Sequence, residues 1–198
     1  SASRPRVALV HAVQVAMQPV EAAFRLYWPE AEVVHLLDDS LSPDRARSTG
    51  LTKEMHARIN GLADYAVAIR SNAILYTCSA FGEAIEAAAG RLALPVLKPN
   101  ESMFEEALNA GDRIGMLATF GPSVVSMEQE FRELAGARGQ RASIQTVLVA
   151  DAMTALKSGD EALHNRLLAE ASWQLKDCDC IMLAHFSTSR ALNDVQAR

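Results

Sequence analysis

Two side chains suited to moving protons stand at corresponding places in the 198-residue sequence. Cys78 follows a short apolar run over residues 73–77, and His185 follows another over 180–184. Such runs, giving way to helical patterns, read as buried strands, so both residues fall at the carboxyl edge of a sheet, where α/β folds bind ligands. Ser79 reads as the opening of an Ala-rich helix. Free amides at Ser79 and Ala80 would draw the Cys78 thiol from about 8.5 toward neutrality and would equally hold a substrate carboxylate. The imidazole of His185 can give or take a proton near neutral pH. A free cysteine is also a common core residue, and backbone groups alone often satisfy a strand-end histidine.

An internal repeat joins the two positions. Arg6-Val-Ala-Leu-Val10 overlays Arg113-Ile-Gly-Met-Leu117, and Ile74-Leu-Tyr-Thr-Cys78 overlays Ile181-Met-Leu-Ala-His185, both at an offset of 107 residues that Phe24 and Phe131 share. The overlay predicts two lobes of like topology, 1–98 carrying Cys78 and 99–198 carrying His185, with equivalent strand ends facing each other across a cleft.

Other candidates are sorted by the same geometry. His11, ending the first strand, and Thr119, ending its counterpart, lie at the carboxyl edge and join the site. Ser123, in the first turn of the following helix, reads as a capping hydroxyl. His35, His56 and His164 fall within elements and read as surface or packing residues. Cys178 and Cys180 flank Asp179 ahead of the last strand, but strand geometry puts His185 about 16 Å beyond Cys180, so no metal site is assigned. Three cysteines are an odd number in a chain long enough to build a core, and free thiols are expected. There is no glycine-rich dinucleotide fingerprint and no P-loop, and Lys53, Lys98, Lys157 and Lys176 lie in polar or helix-flanking contexts, so no cofactor is expected.

The elements that must hold these residues alternate in the βα manner. Strands are expected over 6–10, 33–37, 73–77, 94–97, 113–118, 144–149 and 180–184, with helical periodicity over 19–28, 52–69, 79–92, 102–110, 122–136 and 161–175. The fold class is therefore α/β, two lobes each with a mostly parallel sheet flanked by helices. With 19 Lys and Arg against 24 Asp and Glu, interspersed, no basic stripe exists to meet nucleic acid. No apolar stretch approaches the roughly 20 residues of a membrane span, and the polar opening has no signal-peptide core, so a cytoplasmic protein without membrane partners is expected.

The segments Thr77-Cys-Ser-Ala-Phe-Gly82, Ala118-Thr-Phe-Gly-Pro-Ser123 and Ile181-Met-Leu-Ala-His-Phe-Ser187 together resemble those of the aspartate/glutamate racemase superfamily, which includes hydantoin racemases, maleate isomerases and arylmalonate decarboxylases. The resemblance covers almost the whole sequence. It implies two pseudo-symmetric lobes that hold a small carboxylate between two cysteines without a cofactor, and Cys78 matches the first cysteine. It also implies that the amides of Ser79, Ala80, Phe186 and Ser187, with Thr119, line the carboxylate pocket, and that His11 stands where glutamate racemases carry an acidic helper. The sequence departs from the pattern at the second cysteine, where it has His185. It departs again at its end, because family chains usually return to add a strand and helix to the first lobe, whereas this sequence stops at Arg198.

The expected activity is racemisation or isomerisation at the α-carbon of a small carboxylate, an amino acid or related acid, with Cys78 as base or acid and His185 as its partner. Three alternatives stand beside it: an arylmalonate-type decarboxylase using Cys78 alone, addition of Cys78 to a double bond as in maleate isomerases, and a carboxylate-binding protein without chemistry. A homo-oligomer would be ordinary for an enzyme of this type.

Overall fold

Arg6–His11 (β1) is an apolar run whose last five residues are buried, which its neighbours on both sides explain. It pairs in parallel with Glu32–Leu37 (β2) and Ala73–Tyr76 (β3), so that Val7 lies opposite both Val33 and Ala73. The helix Met17–Tyr27 (α1) joins β1 to β2, and Leu41–Ala46 (α2) and Lys53–Ala68 (α3) join β2 to β3. Gly82–Arg91 (α4) leads to the two-residue strand Val96–Leu97 (β4), which pairs with β3 at the sheet edge. The order β2-β1-β3-β4 is that of a sheet built from crossovers. In this computed structural model, residues 4–197 are described. The chain divides into two units, Ser1–Pro99 and Asn100–Arg198.

The second unit repeats the pattern. After Glu101–Ala110 (α5), Arg113–Ala118 (β5) is flanked by Ser143–Leu148 (β6) and Cys180–Leu183 (β7) in the order β6-β5-β7, again all parallel. Val7 opposite Ala73 and Ile114 opposite Cys180 are equivalent pairs 107 residues apart. Gly121–Ala137 (α6), Ala150–Lys157 (α7) and Glu161–Ser172 (α8) make the connections, and a 3-10 turn over Phe186–Ala191 leads into Leu192–Gln196 (α9).

Strand alternation decides which residues meet which layer. On β5, Ile114, Met116 and Ala118 pack with Phe104, Met127, Phe131 and Met182, whereas Leu117 packs with Ala152, Leu168, Leu175 and Ala191 on the other face. Phe104 and Phe131 meet edge to face, their centroids 5.7 Å apart. In the first unit Leu9, Ile59, Ile74, Phe81 and Ile85 are fully enclosed, and the buried Tyr76 hydroxyl donates to the Ile59 carbonyl at 2.7 Å. Helix starts are closed locally: Thr52 Oγ1 accepts the Met55 amide at 3.2 Å, and Asp160 Oδ1 accepts the Leu163 amide at 3.0 Å.

One close approach in the second unit admits no side chain. A Cβ on Gly111 would lie 2.5 Å from Asp179 Cβ. Asp179 cannot easily retreat, because its Oδ2 accepts the amides of Asp112 at 3.1 Å and Arg113 at 2.9 Å and so ties the start of β5 to the start of β7. Gly111→Ala is expected to cost about 1–3 kcal/mol of stability by overpacking. Urea denaturation would read this as a lower midpoint with an unchanged slope.

Three local features differ from the sequence reading. α2 and α7 fall where no element was expected. β4 is confined to Val96–Leu97 within the expected 94–97. The helix after Cys78 begins at Gly82 rather than Ser79, because residues 77–81 form a turn first. No helix among the described residues is long and apolar enough to cross a membrane.

Candidate active site

In the first unit the carboxyl ends of β1 and β3 lie side by side, since the Thr77 amide donates to the Val10 carbonyl at 2.9 Å. His11 and Thr77 therefore meet. His11 is wholly buried, with Nδ1 2.7 Å from Thr77 Oγ1 and Nε2 2.9 Å from Nδ1 of His35. Burial first, and the neighbouring His35 second, bring His11 from 6.5 down to about 4, so the ring is neutral at physiological pH. With both ring nitrogens engaged inside the unit, His11 has a supporting position.

Cys78, Ser79 and Ala80 occupy the turn that follows and are all buried. The Ala80 carbonyl accepts Nε of Arg45 at 3.2 Å, so α2, invisible in the sequence pattern, braces this turn. Cys78 retains 9% exposure. Burial pushes its thiol up from 9.0 to about 12, and its own backbone amide opposes this only in part. That reverses the expectation of a thiol drawn toward neutrality. The physical reason is that α4 starts at Gly82, so Ser79 and Ala80 are turn residues and desolvation dominates.

The second unit builds the equivalent edge around His185, which follows β7. The Thr119 amide donates to His185 Nε2 at 3.1 Å, which makes Nε2 an acceptor and leaves the ring proton of the neutral form on Nδ1. Burial lowers His185 from 6.5 to about 4. Its backbone is clamped from the next turn: the His185 amide donates to Thr188 Oγ1 at 3.2 Å, and the Thr188 hydroxyl donates to the His185 carbonyl at 2.6 Å. Phe186 is half-buried and Ser187 wholly so. Two buried hydroxyl oxygens at this edge, Thr119 Oγ1 and Ser187 Oγ, have no hydrogen-bond partner among the described residues. An orphaned buried hydroxyl costs on the order of 1–3 kcal/mol, which a bound oxygen or nitrogen would recover. Ser123, by contrast, spends its hydroxyl on the Phe120 carbonyl at 2.7 Å; it lies inside α6 and accepts no helix-start amide.

The remaining sequence candidates lie elsewhere. Cys178 and Cys180 are free, half-buried thiols raised by burial. They precede or open β7, at the opposite end from His185. No group of three or more His, Cys, Asp or Glu residues among the described residues could hold a metal ion. His164 is buried in α8 with Nδ1 2.8 Å from the Asn165 side chain. His35 is the residue whose place the sequence reading missed. Its Cα pairs with Leu9, which faces the same side of β1 as His11, but that register exists only once the strands are aligned.

The fold has well-defined likenesses. A glutamate racemase from Bacillus anthracis (isoform RacE1) superposes with a TM-score of 0.76 at 14% identity, over 98% of this chain and 73% of that one. An aspartate racemase from Picrophilus torridus gives 0.70 at 14% identity, over 94% and 83%. An allantoin racemase from Pseudomonas fluorescens gives 0.67 at 15% identity, over 98% and 82%. At such identities the likeness is one of fold, and no curated protein matches the sequence. The Asp/Glu/Hydantoin racemase family model matches residues 12–188, and the chain belongs to that family.

Proposed function

We propose that the protein is a cofactor-independent racemase or isomerase acting at the α-carbon of a small carboxylate, with Cys78 and His185 as its proton-transfer groups. The observation that carries this reading is positional: Cys78 and His185 follow the equivalent strands β3 and β7 of the two units, in a chain of the Asp/Glu/Hydantoin racemase family. In the ligand-free chain burial favours the S–H form of the thiol and the neutral form of the imidazole.

In the forward step the C–H pair of electrons passes into the carboxylate to give an enediolate as Nε2 of His185 takes the α-proton. The thiol then delivers its proton to the other face of the carbon. The product has the substrate's atoms with inverted configuration, leaving thiolate and imidazolium to exchange protons with water. Taking up the proton at Nε2 displaces the Thr119 amide, a loss of about 1 kcal/mol, and frees that N–H for an enediolate oxygen. The orphaned Thr119 and Ser187 hydroxyls, with the amides of Ser79, Ala80, Phe186 and Ser187, would complete the carboxylate's partners; His11 supports the site from behind.

A second reading has one observation in its favour. A single thiol held neutral also suits a decarboxylase, in which loss of CO2 leaves a carbanion that Cys78 protonates. The test is proton NMR in D2O with a panel of small chiral carboxylates, amino acids and substituted malonates. Deuterium incorporation at the α-carbon with loss of optical activity is the expected result. Release of CO2 dependent on Cys78 would transfer the assignment to decarboxylation, and binding without exchange would make the chain a carboxylate-binding protein.

The orphaned hydroxyls carry their own prediction. Thr119→Val and Ser187→Ala each remove a buried group that has no partner, so the ligand-free protein should gain up to about 1 kcal/mol in thermal denaturation, while KM rises about tenfold. A loss of stability in both variants would show that these hydroxyls are already satisfied without ligand.

A further inference from the structure

The contacts of His11 extend outward to the surface. His35 stacks on His11, with ring centroids 5.1 Å apart, and its Nδ1 is the partner of His11 Nε2. Its other nitrogen, Nε2, is buried without a hydrogen-bond partner among the described residues and lies 3.7 Å from Oε2 of Glu21 on α1. Glu21 is 41% exposed, and Arg25 donates to its other oxygen, Oε1, at 2.9 Å. A line of four side chains, Glu21, His35, His11 and Thr77, thus runs from solvent to the residue before Cys78.

The directions of the hydrogens along this line follow from its outer end. A lone pair facing a carboxylate at 3.7 Å is repelled and an N–H is attracted, so His35 carries its proton on Nε2. Its Nδ1 must then accept, which makes His11 Nε2 the donor and His11 Nδ1 an acceptor. Thr77 must therefore donate to His11, at 2.7 Å. The opposite order is also built in. If His35 donated through Nδ1, His11 would donate to Thr77, and the Thr77 hydroxyl would turn to the Val10 carbonyl at 3.3 Å. Both orders satisfy every inner link, and only Glu21 distinguishes them.

We infer that Glu21, His35 and His11 form a proton-ordered relay, directed by the Glu21 carboxylate, that fixes the Thr77 hydroxyl and through it positions the Cys78 turn. These are positioning residues, and this last link rests on the catalytic role proposed for Cys78. Thr77 is tied to β1 by its amide and, according to the order of the relay, to either His11 or Val10 by its hydroxyl. The setting of that hydroxyl is the part of the strand end that Glu21 controls from the surface.

The test is nitrogen NMR of the full 15N-labelled chain, with the two rings assigned from His35→Gln. In the wild type at neutral pH, Nδ1 of both histidines should be pyridine-like and Nε2 of both pyrrole-like. Glu21→Ala, a helix-compatible change at an exposed site, should move all four toward averaged values while leaving the amide spectrum folded. A protonated His11 Nδ1 in the wild type, or ring nitrogens indifferent to Glu21→Ala, would overturn the relay whatever the enzyme's activity. On a substrate that exchanges, Glu21→Ala and His35→Gln should each lower kcat about tenfold with KM within about twofold. Altered ring nitrogens with unchanged kcat would overturn the positioning role and leave the assignment of Cys78 intact.

Discussion

Cys78→Ala is expected to abolish inversion at the α-carbon, a loss of about 10²- to 10⁴-fold in kcat, the usual contribution of one positioned acid or base. Cys78→Ser should restore little, because a hydroxyl in the same buried turn is a far weaker acid than the thiol. The burial of Cys78 adds a signature that separates this thiol from a surface one. Lifting it from 9.0 to about 12 lowers the thiolate fraction at mildly alkaline pH by about 10³, so alkylation of the Cys78 peptide, followed by mass spectrometry, should be slow by that factor. The rate should rise tenfold for each unit of pH well into the alkaline range. In the proposed mechanism the thiol is the working acid form, so activity should not be lost as pH rises through the mildly alkaline range. Full turnover in Cys78→Ala, on a substrate the wild type racemises, would refute the mechanism.

His185→Gln should be nearly as damaging to inversion, again about 10²- to 10⁴-fold. Glutamine is the informative replacement because its carbonyl oxygen can still accept the Thr119 amide, so the fold at this strand end is kept while the base is removed. In the proposed mechanism the active form of His185 is the neutral ring, which is lost only as pH falls through about 4, so kcat/KM of the wild type should stay flat through pH 6.5. Stability behaves differently. The unfolded imidazole takes up a proton below 6.5 and the folded one only near 4, so stability is whole above 6.5 and is lost as pH falls between those values, by about 3 kcal/mol. His11 adds a loss of the same sign over the same range. His185→Gln should therefore unfold in acid with a shallower dependence than the wild type, retaining only the share due to His11 and to His164, which burial also lowers. An unaltered pH dependence of stability would mean that His185 is solvated in the folded protein. Loss of inversion with retained one-sided deuterium exchange would show Cys78 both removing and returning the α-proton on its own face, and would overturn its assignment as the acid alone.

Much of the fold was legible because it is written in local apolar runs. β1, β3, β5 and β7 are short stretches in which nearly every residue is apolar, β1 and β5 being buried on both faces, and the 107-residue offset between them survives as the shared order of the two sheets. α2 was not legible, since Leu-Ser-Pro-Asp-Arg-Ala has the composition of a loop and becomes helical where Arg58 of α3 gathers Asp38 and Asp44 around it. α7 is an eight-residue helix, too short for its periodicity to separate it from the preceding strand's end.

By itself the sequence determined the α/β class, the repeat, and the presence of a thiol and an imidazole at equivalent strand ends, because each of these depends only on residue type and spacing along the chain. The tertiary structure decided which protonation states those groups favour. Whether Cys78 is a thiolate or a thiol depends on how completely the surrounding turn excludes water, and the answer reversed the one drawn from the helix start. That His35 reaches His11, and that Thr119 and Ser187 are left without partners, depends on strand register and on which atoms fold against one another. Desolvation and register are properties of neighbours brought together from distant parts of the chain, and spacing within a segment does not encode them.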